Sequence, residues 1–231
     1  MPHNRFYIDK ALNEHSTYFI EDEELHHMTR VMRQKKNDEI ELVDGKGSLA
    51  KAHIASIEKK KAEVKVASIT KEKENTRKFS IAIANLKPSS LELAVEKLTE
   101  LGAFEIFIFP AIYSEKEHVS NHTKNRLERH LISALKQSGR LFMPKLTYTE
   151  LTEVLKRKCF FCDLQKNATK LTTLLEKEED ITIIIGPESG WHEKEKKLLL
   201  EKATICLLSP NTLRAETAAI TSGAIASQML Y

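Results

Sequence analysis

Two stretches of the 231-residue chain hold residue types that could do chemistry together. The first is IIIGPESGW, residues 183–191, where an apolar, β-branched run ends in a turn. Gly186 and Gly190 permit close backbone approach to a ligand, and Pro187 stiffens the loop between them. The second is CLLSPNTLRAETA, residues 206–218, in which Arg214 and Glu216 open a helical pattern. Both side chains are costly to bury, so they point to a ligand or an ion pair rather than to a core.

Several familiar cradles are excluded. No G-x-x-x-x-G-K-[ST] phosphate loop occurs, and no G-x-G-x-x-G follows the first strand of the α/β region, which argues against a nucleoside triphosphate or a dinucleotide. Ser189 is not in G-x-S-x-G register, which weakens a hydrolase reading. A tight strand-to-helix turn with no ligand would account for Gly186 to Gly190 equally well. The second stretch adds weight to a ligand site, because Ala215, Ala218, Ala219, Ser222, Gly223 and Ala226 form a helix face without bulk. Such a helix must lie close to its neighbour.

The elements that position these loops follow from hydrophobic period. From Phe79 onward, apolar strands (FSIAIANL, FEIFIFP, CFFCDL, ITIIIG, ATICLLS) alternate with amphipathic helical segments after Ser89, after Asn121, at 151–158, after His192 and from Arg214 to the end. Buried strands alternating with helices mean an α/β domain with a mainly parallel sheet, whose ligand crevice lies beyond the carboxyl ends of the strands. Residues 1 to about 70 are mostly β. DEIELVDG, SLAKAHIASIEK and KAEVKVASIT alternate at period two, with Asp44-Gly45-Lys46-Gly47 as a tight turn. Before them, EDEELHHMTRVMR places Leu25, Met28 and Met32 at helical spacing. KEKENTRK, residues 71–78, reads as a linker, so the domains are drawn at 1–72 and 73–231.

Composition narrows the class. A hydrophobic content of 41% supports globular cores, no apolar run approaches a membrane span, and the N-terminus lacks an apolar signal region, so a cytoplasmic protein is expected. Three cysteines argue against a disulfide framework. Cys159 and Cys162 have C-x-x-C spacing without a second ligand pair, so they read as buried strand cysteines and no metal is expected. The net charge is only +3, but between Lys116 and Lys145 seven Lys/Arg stand against two Glu. That local surface suits a polyanion such as RNA, or is a solvated helix face. Arg30, Arg33, Lys36, Arg126 and Arg129 are the phosphate-contact candidates.

IGPESGW followed about twenty residues later by LSPNTLRAETA resembles the paired signature of the bacterial ribosomal RNA uridine-N3 methyltransferases, the RsmE family within the SPOUT superfamily. KPSSLELAVEKLTELG (87–102), KQSGRLFMPKL (136–146), NRFY, HHMTRVMR and LVDGKG extend the resemblance over nearly the whole chain. Ser189 and Ser209 stand where the family has glycine, Lys136 where it has glutamate, and Leu127 where tryptophan is common.

The resemblance implies a PUA-like β-barrel followed by a SPOUT domain with a deep trefoil knot, an S-adenosylmethionine cofactor and a homodimer whose active sites draw on both chains. It implies methylation of uridine N3 in 16S ribosomal RNA of the small subunit, at the decoding region. On that reading, Ile185, Gly186, Pro187, Glu188 and Gly190 with Leu207, Leu208 and Leu213 hold the cofactor. Arg214 or Arg140 stabilises negative charge on the base, and Glu216 orients an arginine or handles the proton. A SPOUT methyltransferase with another RNA target, or a non-catalytic ribosome-assembly factor, is the alternative.

Overall fold

The structure is a computed structural model that describes residues 4–114, 118–164, 168–175 and 180–231. Lys116, with which the basic stretch begins, lies outside the described residues. The chain forms two compact units, one of Met1–Glu74 with Ile132–Met143 and one of Asn75–Leu131 with Pro144–Tyr231.

The first unit is built on five strands, β1 (Arg5–Tyr7), β2 (Thr17–Glu21), β3 (Glu39–Val43), β4 (Ser48–Ile57) and β5 (Lys61–Lys71), in the order β1-β3-β4-β5-β2. The sheet curls into a half-barrel. The period-two pattern sends Ile40, Leu42, Ala50, Ile54, Val64 and Val66 to one face, where they pack with Phe6, Ile20 and Met28. The turn between β3 and β4 depends on its glycines, since Gly45 and Gly47 adopt φ of 68° and 95°. Asp44 closes it by accepting the Lys46 and Ser48 amides at 2.8 and 3.1 Å.

The helix expected at 21–33 is present in altered form. α1 (Asp22–His26) passes into a π-helical turn, His27–Val31, closed by the Met32 amide donating to the His27 carbonyl at 2.9 Å. Thr29 bonds back to the Leu25 carbonyl at 2.8 Å, a contact that disturbs regular helix, and the wide turn keeps Leu25, Met28 and Met32 on the core.

The second unit holds seven strands, β6 (Lys78–Ala84), β7 (Glu105–Phe109), β8 (Lys145–Tyr148), β9 (Cys159–Cys162), β10 (Thr169–Lys170), β11 (Asp180–Ile185) and β12 (Thr204–Leu207). Their order is β10-β12-β9-β11-β6-β7-β8, and every pairing is parallel. The near-continuous apolar runs of β6, β7 and β11 are buried because helices cover a parallel sheet. These helices are α2 (Pro88–Glu100), α3 (Asn121–Ser138, whose last residues belong to the first unit), α4 (Leu151–Val154), α5 (Leu171–Leu175), α6 (Glu193–Lys202) and α7 (Ala215–Leu230).

The small-residue face of α7 does what its composition demands. Ala215, Ala219, Ser222, Gly223 and Ala226 are buried, and a Cβ on Gly223 would come within 2.6 Å of Leu98 on α2. Cys159 and Cys162 lie in β9, and Cys162 Sγ is 3.4 Å from Cys206 Sγ on β12. No helix among the described residues is long and apolar enough to cross a membrane, and no group of three or more His, Cys, Asp or Glu among them could hold a metal ion.

Candidate functional site

A cavity of about 740 Å³ opens at the carboxyl ends of the second unit's strands. That size falls within the ~300–1,000 Å³ typical of small-ligand pockets. The loops after β11 and β12 form two of its walls, the end of β9 between them contributes Cys162 to Leu164, and the segment after β6 contributes Lys87, Ser89 and Ser90. This is the crevice position expected of a parallel sheet.

The turn after β11 is fixed by its own residues. Gly190 has φ of 80°, with nothing within 4 Å of a Cβ placed there, so backbone conformation rather than space requires glycine. Its amide donates to the Pro187 carbonyl at 2.9 Å. Gly186 answers a different need, because a Cβ there would meet the Trp191 ring at 2.7 Å. Trp191 lies on Gly186, lines the pocket and stacks on buried Phe109 with ring planes 2° apart. The start of α6 anchors this turn through a capping box formed by His192 and Glu195. Glu195 also accepts the Ile112 amide at 2.9 Å, tying in the loop after β7.

The loop after β12 leads into α7 at Arg214, the N-cap residue, whose side chain does not cap the helix. Among the described residues no hydrogen bond or ion pair engages its guanidinium, which is exposed at the pocket. Two residues on, Glu216 Oε2 is buried without a hydrogen-bond partner. A buried carboxylate oxygen left unpaired is costly, and here it belongs to a residue that lines the same cavity as the Arg214 guanidinium. Cys162 is only half-buried, unlike Cys159 and Cys206, and its hydrogen bond with Cys206 pushes its thiol pKa well up, so it presents a neutral sulfur to the pocket.

Ile185, Gly186, Pro187, Glu188, Gly190, Leu207, Leu208 and Leu213 all line this cavity, as do Arg214 and Glu216. Arg140 lies in the first unit, with its amide 3.4 Å from Ser138 Oγ. Arg30, Arg33 and Lys36 are exposed on the first unit, while Arg126 and Arg129 are exposed on the part of α3 in the second. Arg126 is engaged, with Nη2 2.7 Å from Glu92 Oε2. Sequence reasoning did not single out Lys87, Asp163 or Trp191 as pocket residues. Lys87 and Asp163 follow the apolar runs of β6 and β9, and that position at a parallel strand's carboxyl end was the available signal.

Comparison with known proteins agrees with this geometry. The RNA methyltransferase domain family matches residues 72–227, and the RNA methyltransferase PUA domain family matches 20–67. Ribosomal RNA small subunit methyltransferase E of Rickettsia conorii is 31% identical over 232 residues, covering 96% of this chain and 94% of the relative. The chain belongs to the ribosomal RNA small subunit methyltransferase E family. Within the same fold, a solved structure from Thermotoga maritima described as a predicted RNA methyltransferase is 32% identical, with a TM-score of 0.81 over 97% of both chains. A ribosomal RNA small subunit methyltransferase E from Neisseria gonorrhoeae, solved bound to S-adenosyl methionine, shares the fold at 24% identity, with a TM-score of 0.85 over 98% of both chains.

Proposed function

We propose that this protein methylates N3 of a specific uridine in 16S ribosomal RNA of the small subunit, with S-adenosylmethionine as methyl donor. The observation that carries the proposal is the cavity at the ends of β9, β11 and β12, which both Arg214 and Glu216, with its orphaned oxygen, line. Its volume suits a nucleoside-sized cofactor, and Ile185, Leu207, Leu208 and Leu213 offer apolar walls. The backbone of 185–190 and 207–213 would hold the adenosine and methionine portions. When bound, the cofactor supplies an electrophilic methyl group on a sulfonium.

The chain's own residues have a defined task. N3 of neutral uracil carries a proton, so its lone pair becomes available only as that proton leaves and negative charge spreads to O2 and O4. On this reading Arg214 stabilises that charge, and Glu216 takes the proton or orients an arginine. Arg140 is a further catalytic candidate on the resemblance alone. The 1–72 region is assigned RNA binding, through Arg30, Arg33 and Lys36 together with Arg126 and Arg129 of the catalytic region 73–231. A trefoil knot in the catalytic domain, a homodimer and a cytoplasmic location complete the proposal.

Cofactor binding is tested through Trp191, the single tryptophan of the chain, which lines the cavity. Titration with S-adenosylhomocysteine is expected to change its fluorescence saturably, at one site per chain. No saturable change, together with no binding by calorimetry, would remove the cofactor from the proposal.

A further inference from the structure

The rim of the pocket carries an ion pair between side chains of two of its lining residues. Lys87, between β6 and α2, places Nζ 3.8 Å from Oε2 of Glu188 in the turn after β11. The two side chains are 53% and 44% exposed. A pair this long and this open is worth at most about 1 kcal/mol. An anion that meets the ammonium at shorter range therefore displaces the glutamate readily.

The other carboxylates of the pocket are placed differently. Asp163 Oδ2 is held by Lys196 at 2.6 Å, and Glu216 has a buried oxygen in the first turn of α7. Glu188 is thus the pocket carboxylate paired with Lys87, an exposed cation lining a cavity that also exposes Arg214. A nucleotide of a long RNA entering this cavity must bring its flanking phosphates across the rim.

We propose that Lys87 is a positioning residue for RNA, contacting a phosphate beside the target nucleotide, and that Glu188 holds its ammonium in place until the RNA arrives. Glu188 turns to solvent as the phosphate takes over. The inference rests on the RNA methyltransferase reading above and assigns that site a substrate contact. The amino-acid end of the cofactor also carries a carboxylate, which the same ammonium could hold, so the experiment separates the two anions.

The test compares wild type with Lys87→Met, Lys87→Arg, Glu188→Gln and the Lys87→Met/Glu188→Gln double variant, each checked for an unchanged melting temperature. Affinity for ribosomal RNA is measured against salt without cofactor, and S-adenosylhomocysteine affinity is measured in parallel. Lys87→Met is expected to weaken RNA binding about tenfold, the size of one charge-assisted contact. It should also reduce the slope of log affinity against log salt by about 0.7, the value for one phosphate on a single strand. Lys87→Arg keeps the slope, and S-adenosylhomocysteine affinity does not move in either single Lys87 variant. Glu188→Gln tightens RNA binding when Lys87 is present and has little effect in the Lys87→Met background. An unchanged slope in Lys87→Met, an equal gain from Glu188→Gln in both backgrounds, or lost S-adenosylhomocysteine affinity in Lys87→Met would each overturn the proposal. A wild-type protein that binds no S-adenosylhomocysteine would overturn the methyltransferase reading instead, while the cofactor-free salt slopes still decide the role of Lys87.

Discussion

At the scale of single residues, Arg214 and Glu216 are set apart by what they lack. Among the described residues, an exposed guanidinium without a partner and a carboxylate oxygen buried without one stand two residues apart at the start of α7, lining one cavity. If Arg214 stabilises charge that develops on the base, Arg214→Ala is expected to lower kcat about 100-fold, as loss of one preorganised charge-stabilising donor does. S-adenosylhomocysteine affinity should stay within about twofold. Full turnover in Arg214→Ala, measured at saturating RNA, would remove it from the catalytic role. The two glycines of the turn make separable predictions. Gly186→Ala drives a Cβ into the Trp191 ring, so tryptophan emission shifts and cofactor affinity falls. Gly190→Ala meets no neighbour and costs about 1 kcal/mol through its positive φ alone, visible as a lower melting temperature with unchanged emission.

At the scale of elements, the close packing of α7 on α2 is the feature the site depends on, because the loop that carries Arg214 ends where α7 begins. Gly223→Ala is expected to destabilise by about 1–3 kcal/mol through contact with Leu98, and pairing it with Leu98→Ala should recover part of that loss in denaturant unfolding. Strand β9 adds a pH signature. Burial pushes the Cys159 thiol up to about 11 from 9.0, so the folded state keeps a proton that the unfolded chain releases. Stability from this group is whole below pH 9 and is lost as pH rises from about 9 to 11, and Cys159→Ala should flatten that part of the melting-temperature profile. Long or strongly patterned elements were legible in the sequence: the apolar runs of β6, β7 and β11, the helix after His192 and the small-residue face of α7. Elements with little pattern of their own were not. β8 has four residues, β10 has two and α5 has five, and the neighbours they pair or pack with hold them in place. The π-helical turn at 27–31 was equally hidden, since it preserves the spacing of Met28 and Met32 that suggests an ordinary helix.

At the scale of the whole molecule, the sequence located the two loops of the site but not their neighbours. Strand order brings β9 between β12 and β11 and β6 beside β11, so Asp163 and Lys87 reach the same pocket as residues remote in the chain. Local period carries no information on that order. Nor does the sequence show that residues 132–143, the end of α3 and the segment after it, belong with the first unit, where Leu135 and Leu141 pack with Val43. If Arg30, Arg33 and Lys36 contact phosphates, replacing all three with Gln should weaken binding alike to related and unrelated RNA. The salt slope should then fall by about 2, roughly 0.7 for each contact. The central claim is tested most directly by methyl transfer from labelled S-adenosylmethionine to small ribosomal subunits and to naked 16S ribosomal RNA lacking the modification, followed by nucleoside analysis. A single labelled product, 3-methyluridine, at one position is the predicted result. Label in any other nucleoside, or no transfer to either substrate by protein that binds the cofactor, would contradict it.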